Sequence, residues 1–427
     1  MNPCVLLVGT ADTKAAELAF IRQCIHDAGG STCLMDVGVL GQPGMAVDVS
    51  AHEVAAAAGR TLDEVRASGD ENEAMSCMAR GAVTLASALH AAGRVHGVLA
   101  LGGTMGTDLA LDVTAALPLG FPKLIVSTVA HSHLIPPERL APDLMTMLWV
   151  GGLYGLNTIC RRALAQAAGA IVGASRVPAP TELARPAVGI TSFGTSALTY
   201  IVRLTPALEA RGYEVVVFHC TGMGGRAFEA LARERRFVAV LDLCLAEVAN
   251  EANGSIVTAG AGRLLGAGST GVPQIVAPGG ADQVDMQAWR PLPPQHADRV
   301  HHAHNRLLAS VLMNEEERRC AARAVASRLA QARGATAFIA PLAGIEAWDR
   351  PGQPLHDAHG LAAFYDELDQ QLAAHSPSSG ASFEHHRLDA HINDMAFTDH
   401  VLAIFDRWVL AGIVPAGEQP VTPRGPA

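Results

Sequence analysis

Glycine, hydroxyl and charged residues occur together at several points in this chain, and the chemistry they suggest is phosphate binding. The first such segment, Gly-Thr-Ala-Asp-Thr-Lys at residues 9–14, follows an apolar run at residues 5–8 and precedes a helical pattern. A glycine turn there presents free backbone N–H groups and the positive end of a helix dipole to an anion. Lys14 adds a charge, and Asp12 is a candidate for holding Mg²⁺ or a ribose hydroxyl. Alternatively, Asp12 or Thr13 only caps the helix.

A second glycine-rich segment follows the apolar residues 97–100 and leads into another helical pattern. Its candidate ligand-binding residues are Gly102, Gly103, Thr104, Gly106 and Thr107. Glycine lets a backbone approach a ligand without obstruction by Cβ. The spacing differs from a Walker loop, which has a lysine, and from the dinucleotide fingerprint. A tight turn without a ligand is the alternative.

The third segment, Ser127, Thr128 and Val129, ends a short predicted strand at residues 124–126. Open α/β sheets bind ligands at the carboxyl ends of their strands. All three segments are expected at that edge, so together they predict a nucleotide-binding site.

The C-terminal half has glycine-rich segments at residues 219–226, 259–263 and 277–282, each interpreted as a turn between a strand and a helix. They predict either a second anion or substrate site, or ordinary turns. His219, a candidate base, and Cys220, a candidate nucleophile, are expected at the strand edge. A buried thiol is the commoner role of a single cysteine.

Two other polar segments resemble functional sites, His304-Asn305 and residues 389–394, which include His391. The latter precedes an amphipathic helix expected at residues 395–410. It either caps that helix through Asn393 or Asp394 or reaches a ligand, which makes His391 a third catalytic candidate. The histidines match no His-Glu-x-x-His motif, and no cysteine pair completes a zinc set, so no protein-only metal site is predicted.

These segments need strands that alternate with helices, and the sequence provides two such series. One begins near residue 5 and the other near residue 188, and each contains a later Gly-x-Pro turn before an apolar run. Alternating strands and helices indicate a parallel sheet. We therefore predict an α/β protein of two Rossmann-like doubly wound parallel-sheet lobes with a cleft between them. The predicted domains are residues 1–178 and 187–414, joined by a proline-rich linker at residues 177–186, with a disordered tail at residues 415–427.

Composition narrows the function further. The formal net charge is −10, whereas nucleic-acid binding requires clustered Lys and Arg. Eight scattered cysteines without a Cys-x-x-Cys pair are typical of reduced, cytosolic thiols. The N-terminal run has no signal-peptide pattern, and the most apolar later stretch is interrupted by glycines. We expect a cytoplasmic protein without nucleic-acid or membrane partners.

Taken in order, these motifs are similar to those of a known family. They are Gly-Thr-Ala-Asp-Thr-Lys, Leu-Gly-Gly-Thr-x-Gly-Thr, Ile-Val-Ser-Thr-Val-Ala, His-Cys-Thr-Gly-Met-Gly-Gly and His-Ile-Asn-Asp. The sequence resembles, over residues 4–411, the ATP-binding family typified by the N-terminal domain of the tomato protein for resistance to tomato mosaic virus. The resemblance implies two Rossmann-like subdomains, ATP with Mg²⁺ in the first one, and a homodimer. Its nucleotide-binding residues fall on residues 12–14, 102–107 and 127–129. It implies a ligand and no substrate, and an antiviral role is not carried over.

Three functions follow as hypotheses. One is an enzyme that uses ATP on a small molecule held between the two lobes. Another is a nucleotide-sensing regulator without turnover. The last, a sugar-nucleotide epimerase or transferase, rests on fold analogy alone.

Overall fold

The computed structural model describes residues 2–149, 151–178, 185–374 and 382–418. The chain divides into two compact units, residues 1–180 and 181–427. Most of the predicted linker, almost all of a loop expected at residues 376–382, and residues 419–427 of the predicted tail lie outside the described residues. The domain limits given above, and the cleft, stay predictions.

The first unit consists, over its described residues, of five strands with helices between most of them. Its elements are β1 (Cys4–Gly9), α1 (Ala15–Asp27), β2 (Ser31–Asp36), α2 (Ala51–Ala57), α3 (Leu62–Ala67), α4 (Glu71–Ala91), β3 (Gly97–Gly102), α5 (Thr104–Ala116), β4 (Lys123–Ser127), β5 (Met145–Leu148) and α6 (Thr158–Arg176). The strands form one parallel sheet in the order β2-β1-β3-β4-β5. This is the flavodoxin-like doubly wound order, in which the winding reverses between β1 and β3.

Both faces of this first sheet are buried, because apolar residues occupy the interior positions of its central strands. In β1, Val5 and Leu7 pack into one core, and Leu6 and Val8 pack into the core on the opposite face. Alternate side chains of a strand point to opposite faces, so a continuous apolar run predicts helices on both sides.

The second unit has the same organisation with one insertion. Its elements are β6 (Ala187–Ser192), α7 (Ile201–Ala210), β7 (Glu214–His219), α8 (Met223–Arg233), β8 (Ala239–Cys244), α9 (Ala246–Ala252), α10 (Gly266–Thr270), β9 (Gln274–Gly279), β10 (Gln283–Gln287), β11 (His301–Ala303), β12 (Leu308–Leu312), α11 (Glu315–Leu329), β13 (Thr336–Pro341), α12 (Ala358–Ala374), β14 (Phe383–Leu388) and α13 (Met395–Leu410). Six strands form a parallel sheet in the order β14-β13-β9-β8-β6-β7. The winding reverses between β6 and β8, as it does between β1 and β3.

The prediction of two Rossmann-like parallel sheets is confirmed. Helix α13 has the predicted bounds, because its apolar residues recur at helical spacing from Phe397 to Trp408.

Two of the three C-terminal glycine segments do not join a strand to a helix. Residues 259–263 follow α9 and a loop, whereas residues 277–282 end β9 and enter β10. Gly280 has a φ of 66°, which reverses the chain there. Strand β10 then pairs in a small antiparallel sheet of order β10-β12-β11. Polar and apolar residues alternate in β10, which is a strand signal that the interpretation of residues 277–282 as a turn into a helix missed.

Candidate functional site

A cavity of about 370 Å³ opens at the carboxyl edge of the first sheet, where its winding reverses. Ligands of open α/β sheets bind at such reversals, and the volume lies within the ordinary range for small-molecule sites. Its lining combines two of the three predicted segments, which supply Thr10, Asp12, Thr13, Lys14, Gly102, Gly103, Thr104 and Gly106. The sequence therefore identified the residues on one side of the cavity.

The opposite wall of the cavity is largely apolar and was not identified from the sequence. It is formed by Val37, Val39 and Leu40 after β2, and by Glu71, Ala74 and Met75 at the start of α4. No local signal distinguishes these residues from ordinary core positions. Their approach to the glycine turns depends on how α4 packs against the sheet.

Two helix N-termini open into this cavity. Helix α1 has Lys14 as its N-cap residue and α5 has Gly103, and neither N-cap makes a side-chain capping hydrogen bond. The first N–H groups of a helix lack intrahelical partners and carry partial positive charge. Neither Asp12 nor Thr13 caps α1, because their side chains bond elsewhere. Two sets of backbone donors are thus available at one cavity.

Asp12 has one engaged and one unengaged carboxylate oxygen. Its Oδ2 accepts from the backbone N–H groups of Leu40, at 2.8 Å, and Gly41, at 3.1 Å. Its Oδ1 is buried and has no hydrogen-bond partner among the described residues. Buried polar atoms are normally satisfied, so an unpartnered carboxylate oxygen beside a cavity is suited to a cation or a hydroxyl donor.

Lys14 lies at the rim with its ammonium group held by backbone and aromatic contacts. Its Nζ donates to the carbonyl oxygen of Leu153 at 2.6 Å and lies 5.1 Å from the ring centroid of Tyr154. Tyr154 is itself 94% exposed. The lysine charge is therefore positioned at the cavity by a short segment that precedes α6.

Gly102 and Gly103 differ in what a side chain would meet. A Cβ on Gly102 would lie 2.5 Å from Cα of Gly106, so this glycine is required for the turn itself. A Cβ on Gly103 would meet only the Thr128 hydroxyl, at 3.8 Å, and its φ of −75° suits any residue. Gly103 thus borders open space in the cavity.

The predicted site residues of the third segment do not line the cavity. The Ser127 hydroxyl is buried, bonds the Thr107 hydroxyl at 2.7 Å and accepts from the N–H of Val129 at 3.0 Å. The backbone N–H of Thr128 donates to the Gly102 carbonyl oxygen at 3.3 Å. These hydrogen bonds join the end of β4 to the glycine turn at residues 102–107. The segment therefore holds that turn in position and does not contact the cavity.

In the second unit, a carboxylate of the protein itself occupies the position at the glycine turn before α8 where an anion was expected to bind. The Glu247 carboxylate accepts from the N–H groups of Gly222 and Gly225, and it is fully buried. A carboxylate at a helix N-terminus supplies the negative charge that a bound anion would bring. The second anion site expected at this turn is therefore not available.

The three catalytic candidates lie in the second unit and differ in accessibility. His219 is exposed at the end of β7. The Cys220 thiol is completely buried, and burial raises its pKa well above the ordinary value, which opposes its use as a nucleophile. His391 is also buried, and both its ring nitrogens are engaged. Its Nδ1 accepts from the N–H of Asn393, and its Nε2 bonds Asp349 and the Glu346 carbonyl oxygen.

Residues 389–394 form hydrogen bonds to neighbouring loops, and none of their side chains caps α13. Asn393 accepts from the N–H of Thr199 and donates to the Ala197 carbonyl oxygen, both at 2.8 Å. Asp394 is the N-cap residue of α13 but makes no side-chain cap, and it pairs with Arg350 instead. This part of the chain therefore has a structural role.

Buried carboxyl groups gather beside His391. Asp282 and Glu346 are fully buried, and both oxygens of Asp282 lack a hydrogen-bond partner among the described residues. Burial, with Asp349 nearby, raises the pKa of Asp282 to about 7. Burial and the charge of Asp282 raise the pKa of Glu346 to about 10. Nowhere in the described chain do three or more His, Cys, Asp or Glu side chains form a group suited to a metal ion.

Replacing Asp282 with asparagine is expected to flatten the pH dependence of stability. A carboxyl group whose pKa is higher in the folded state than in the unfolded state contributes its full stabilisation to the fold only below the unfolded pKa. This contribution is lost as the pH rises through the folded pKa. Wild type should therefore lose free energy of unfolding between about pH 4 and pH 7, and D282N should lose less, a difference on the order of 2 kcal/mol. Urea denaturation at pH 5, 6, 7 and 8 measures it. The exposed control D63N should parallel wild type, and parallel curves for D282N would contradict the assignment.

Fold and site together define a two-lobed α/β protein whose first lobe opens a pocket at the winding reversal of a Rossmann-like sheet. The chain belongs to the Uncharacterised protein family (UPF0261), matching its N-terminal domain over residues 3–180 and its C-terminal domain over residues 185–409. It is 51% identical to a UPF0261 protein of Brucella melitensis, over 97% of this chain and 98% of the relative. It is 32% identical to a UPF0261 protein of Rhizobium meliloti, over 94% and 98%.

A plant relative is more distant and longer. The ToMV susceptible protein tm-1(GCR26) of Solanum lycopersicum is 27% identical, and the match covers 95% of this chain and 55% of that protein. No helix among the described residues combines the length and apolar character needed to cross a membrane.

Proposed function

We propose that the first lobe binds ATP with Mg²⁺ in the 370 Å³ cavity. The observation that carries this proposal is the opening of two uncapped helix N-termini into one cavity with an apolar opposite wall. Backbone N–H groups and helix dipoles favour phosphate, and the apolar wall suits a nucleobase. The unpartnered Oδ1 of Asp12 supplies an oxygen ligand of the kind Mg²⁺ takes.

Titration calorimetry of the full chain with ATP, with and without Mg²⁺, tests the proposal. Adenosine and inorganic phosphate serve as partial ligands. ATP with Mg²⁺ should bind at least tenfold more tightly than adenosine, because only ATP engages the backbone donors. Equal affinity for adenosine and ATP, or no binding of either, would reject the phosphate assignment.

Lys14→Ala is expected to weaken ATP binding tenfold to a hundredfold, while the free energy of unfolding changes little. A lysine at the N-terminus of a helix, as Lys14 is at the N-cap of α1, interacts unfavourably with the helix dipole unless an anion is present. A lost charge-assisted contact costs roughly 1.5–3 kcal/mol. Calorimetry measures the affinity. Because Lys14 contacts Tyr154, the control is Tyr154→Ala, which keeps the charge and should bind ATP nearly as wild type does. Unchanged affinity in Lys14→Ala would exclude a phosphate contact.

Two functional classes remain within the proposal. An enzyme that acts on a small molecule is favoured by the second lobe, which carries accessible polar residues such as His219. A nucleotide-sensing regulator is favoured by the burial of Cys220 and by the engaged ring nitrogens of His391, because these two catalytic candidates are then not free to react. Release of ADP or AMP from ATP during incubation with cell metabolites separates the two. The epimerase or transferase hypothesis rests on fold analogy and gains no support from either lobe.

The proposal also includes a homodimer and a cytoplasmic location. The homodimer rests only on the family resemblance, and the cytoplasmic location rests only on the composition. Light scattering tests the first, since a dimer has twice the 44.4 kDa mass of the chain.

A further inference from the structure

A separate pocket of about 140 Å³ lies within the second unit, at the carboxyl edge of its parallel sheet. Residues after β6 and β7 form one side of it, and the small antiparallel sheet forms the other. Phe193 and Trp348 supply aromatic surface, and His219, Thr221, Gln283 and His304 supply polar atoms. The sequence singled out His219 and the His304-Asn305 pair separately, and the fold brings them to one place.

A hydrogen-bond chain fixes the state of His304. Both oxygens of Asp285 accept hydrogen bonds, one from the Ser310 hydroxyl and the other from Asn250 at 2.8 Å. The single proton of Ser310 is thus used, so Nε2 of His304, 2.7 Å from that hydroxyl, must be the donor. Burial and neighbouring His302 lower the pKa of His304 to about 4, so the ring is neutral at pH 7.

The neutral ring of His304 consequently presents Nδ1 as an acceptor. This nitrogen makes no hydrogen bond to any residue that the structure describes. The ring is held in place by Trp348, whose ring centroid lies 4.5 Å away. His304 is therefore an oriented acceptor with its lone pair unused within the chain.

Gln283 provides a second, independent sign of a missing ligand. Its side chain is 1% exposed and lines the pocket. Its Oε1 is buried without a hydrogen-bond partner in the described part of the chain. A buried amide oxygen left unsatisfied costs about 1–3 kcal/mol, and a ligand that donates a hydrogen bond removes this cost.

We propose that this pocket binds a small, uncharged compound with several hydroxyl groups, such as a triol or a tetritol. The unused acceptors of Gln283 and His304 require a donor. The hydroxyl of Thr221 and the amide of Asn305, whose Oδ1 already accepts from two backbone N–H groups, also offer donors. A hydroxyl both donates and accepts, whereas an ammonium group only donates.

Charge and size agree with this ligand class. No Lys or Arg lines the pocket among the described residues, which disfavours an anion. Its carboxylate, Asp285, is 1% exposed, and each of its oxygens already accepts a hydrogen bond, from Ser310 or from Asn250, which disfavours a cation. A volume of 140 Å³ holds roughly five water molecules. The aromatic rings of Phe193 and Trp348 fit the C–H surface of a short carbon chain.

Saturation-transfer NMR of the full chain, without nucleotide, tests the proposal with erythritol as the probe. Glycerate and putrescine are the anionic and cationic comparisons. Erythritol should bind in preference to both. Gln283→Leu should weaken binding about tenfold by removing the acceptor. Ser196→Trp should abolish it, because Ser196 lies at the exposed rim and the indole fills the pocket without altering the core.

Three controls make the result specific. Gln331→Leu makes the same replacement at an exposed residue, and Gly103→Val alters only the first lobe, so both should bind erythritol like wild type. Circular dichroism checks that each variant is folded. Absence of erythritol binding to wild type, unchanged binding in both pocket variants, or preference for putrescine or glycerate would overturn the proposal. None of these outcomes depends on whether the first lobe binds ATP.

Discussion

Gly103→Val is expected to abolish stabilisation by ATP while the protein without nucleotide unfolds at nearly the wild-type temperature. A Cβ at this position meets only the Thr128 hydroxyl at 3.8 Å, and the backbone φ of −75° accepts any residue. The valine methyl groups would instead occupy the cavity beside the first turn of α5. Wild type should gain about 2.7 kcal/mol at a hundredfold excess of ATP over its dissociation constant. Thermal unfolding with and without ATP and Mg²⁺ measures both effects.

Gly102→Ala is the matched variant for this experiment. Its Cβ would lie 2.5 Å from Cα of Gly106 and 2.9 Å from the backbone nitrogen of Thr107. Backbone atoms cannot move aside cheaply, so this variant should lower the unfolding temperature in the absence of ATP. A folded Gly103→Val that ATP stabilises as fully as wild type would show that the cavity does not hold the nucleotide phosphates.

Arg263→Met is expected to lower the free energy of unfolding at pH 8 by at least about 3–5 kcal/mol. The guanidinium group is fully buried and contacts three carboxylates, two oxygens of Asp242 at 2.6 Å, Glu247 at 2.8 Å and Glu229 at 3.1 Å. Its removal leaves those carboxylates buried without a counter-charge. Because domains are commonly stable by only about 5–15 kcal/mol, this single change threatens the fold of the second lobe.

The matched variant is Arg233→Met, which removes a half-exposed arginine that lies 3.8 Å from the same Glu229. Because Arg233 is half in solvent and 3.8 Å from the carboxylate, this pair should contribute only about 0–1 kcal/mol, so Arg233→Met should stay close to wild type. Urea denaturation of both variants measures the difference. Equal losses for the two variants would contradict the role assigned to the buried guanidinium.

The deficit of Arg263→Met should also depend on pH. Burial already raises the pKa of Glu229 and of Glu247, and in both cases the charge of Arg263 opposes the rise. Without the arginine their folded pKa values rise further, so stability is present at low pH and is lost as the pH increases through those values. The deficit relative to wild type should therefore be smaller at pH 5.5 than at pH 8. A deficit independent of pH would contradict this explanation.

The sequence by itself determined the alternation of strands and helices at the start of each lobe and one side of the first cavity. An apolar run such as residues 5–8 is typical of a strand covered on both faces, and the glycine turns at residues 9–14 and 102–106 each lead from such a strand into a helix. These are local rules, since each depends on neighbours in the chain. They are sufficient to bring residues 9–14 and 102–106 to one sheet edge, because parallel strands end at the same edge.

Tertiary structure alone decided which of these turns stays open. The turn before α8 has the same local pattern as the turn before α5, yet Glu247, some 20 residues further along the chain, fills its N-terminus. The apolar wall of the first cavity and the chain from Asp285 through Ser310 to His304 likewise join distant segments. A helix terminus carries the same partial charge wherever it occurs, but only the packing of the whole lobe determines whether the protein's own carboxylate or a ligand can satisfy it.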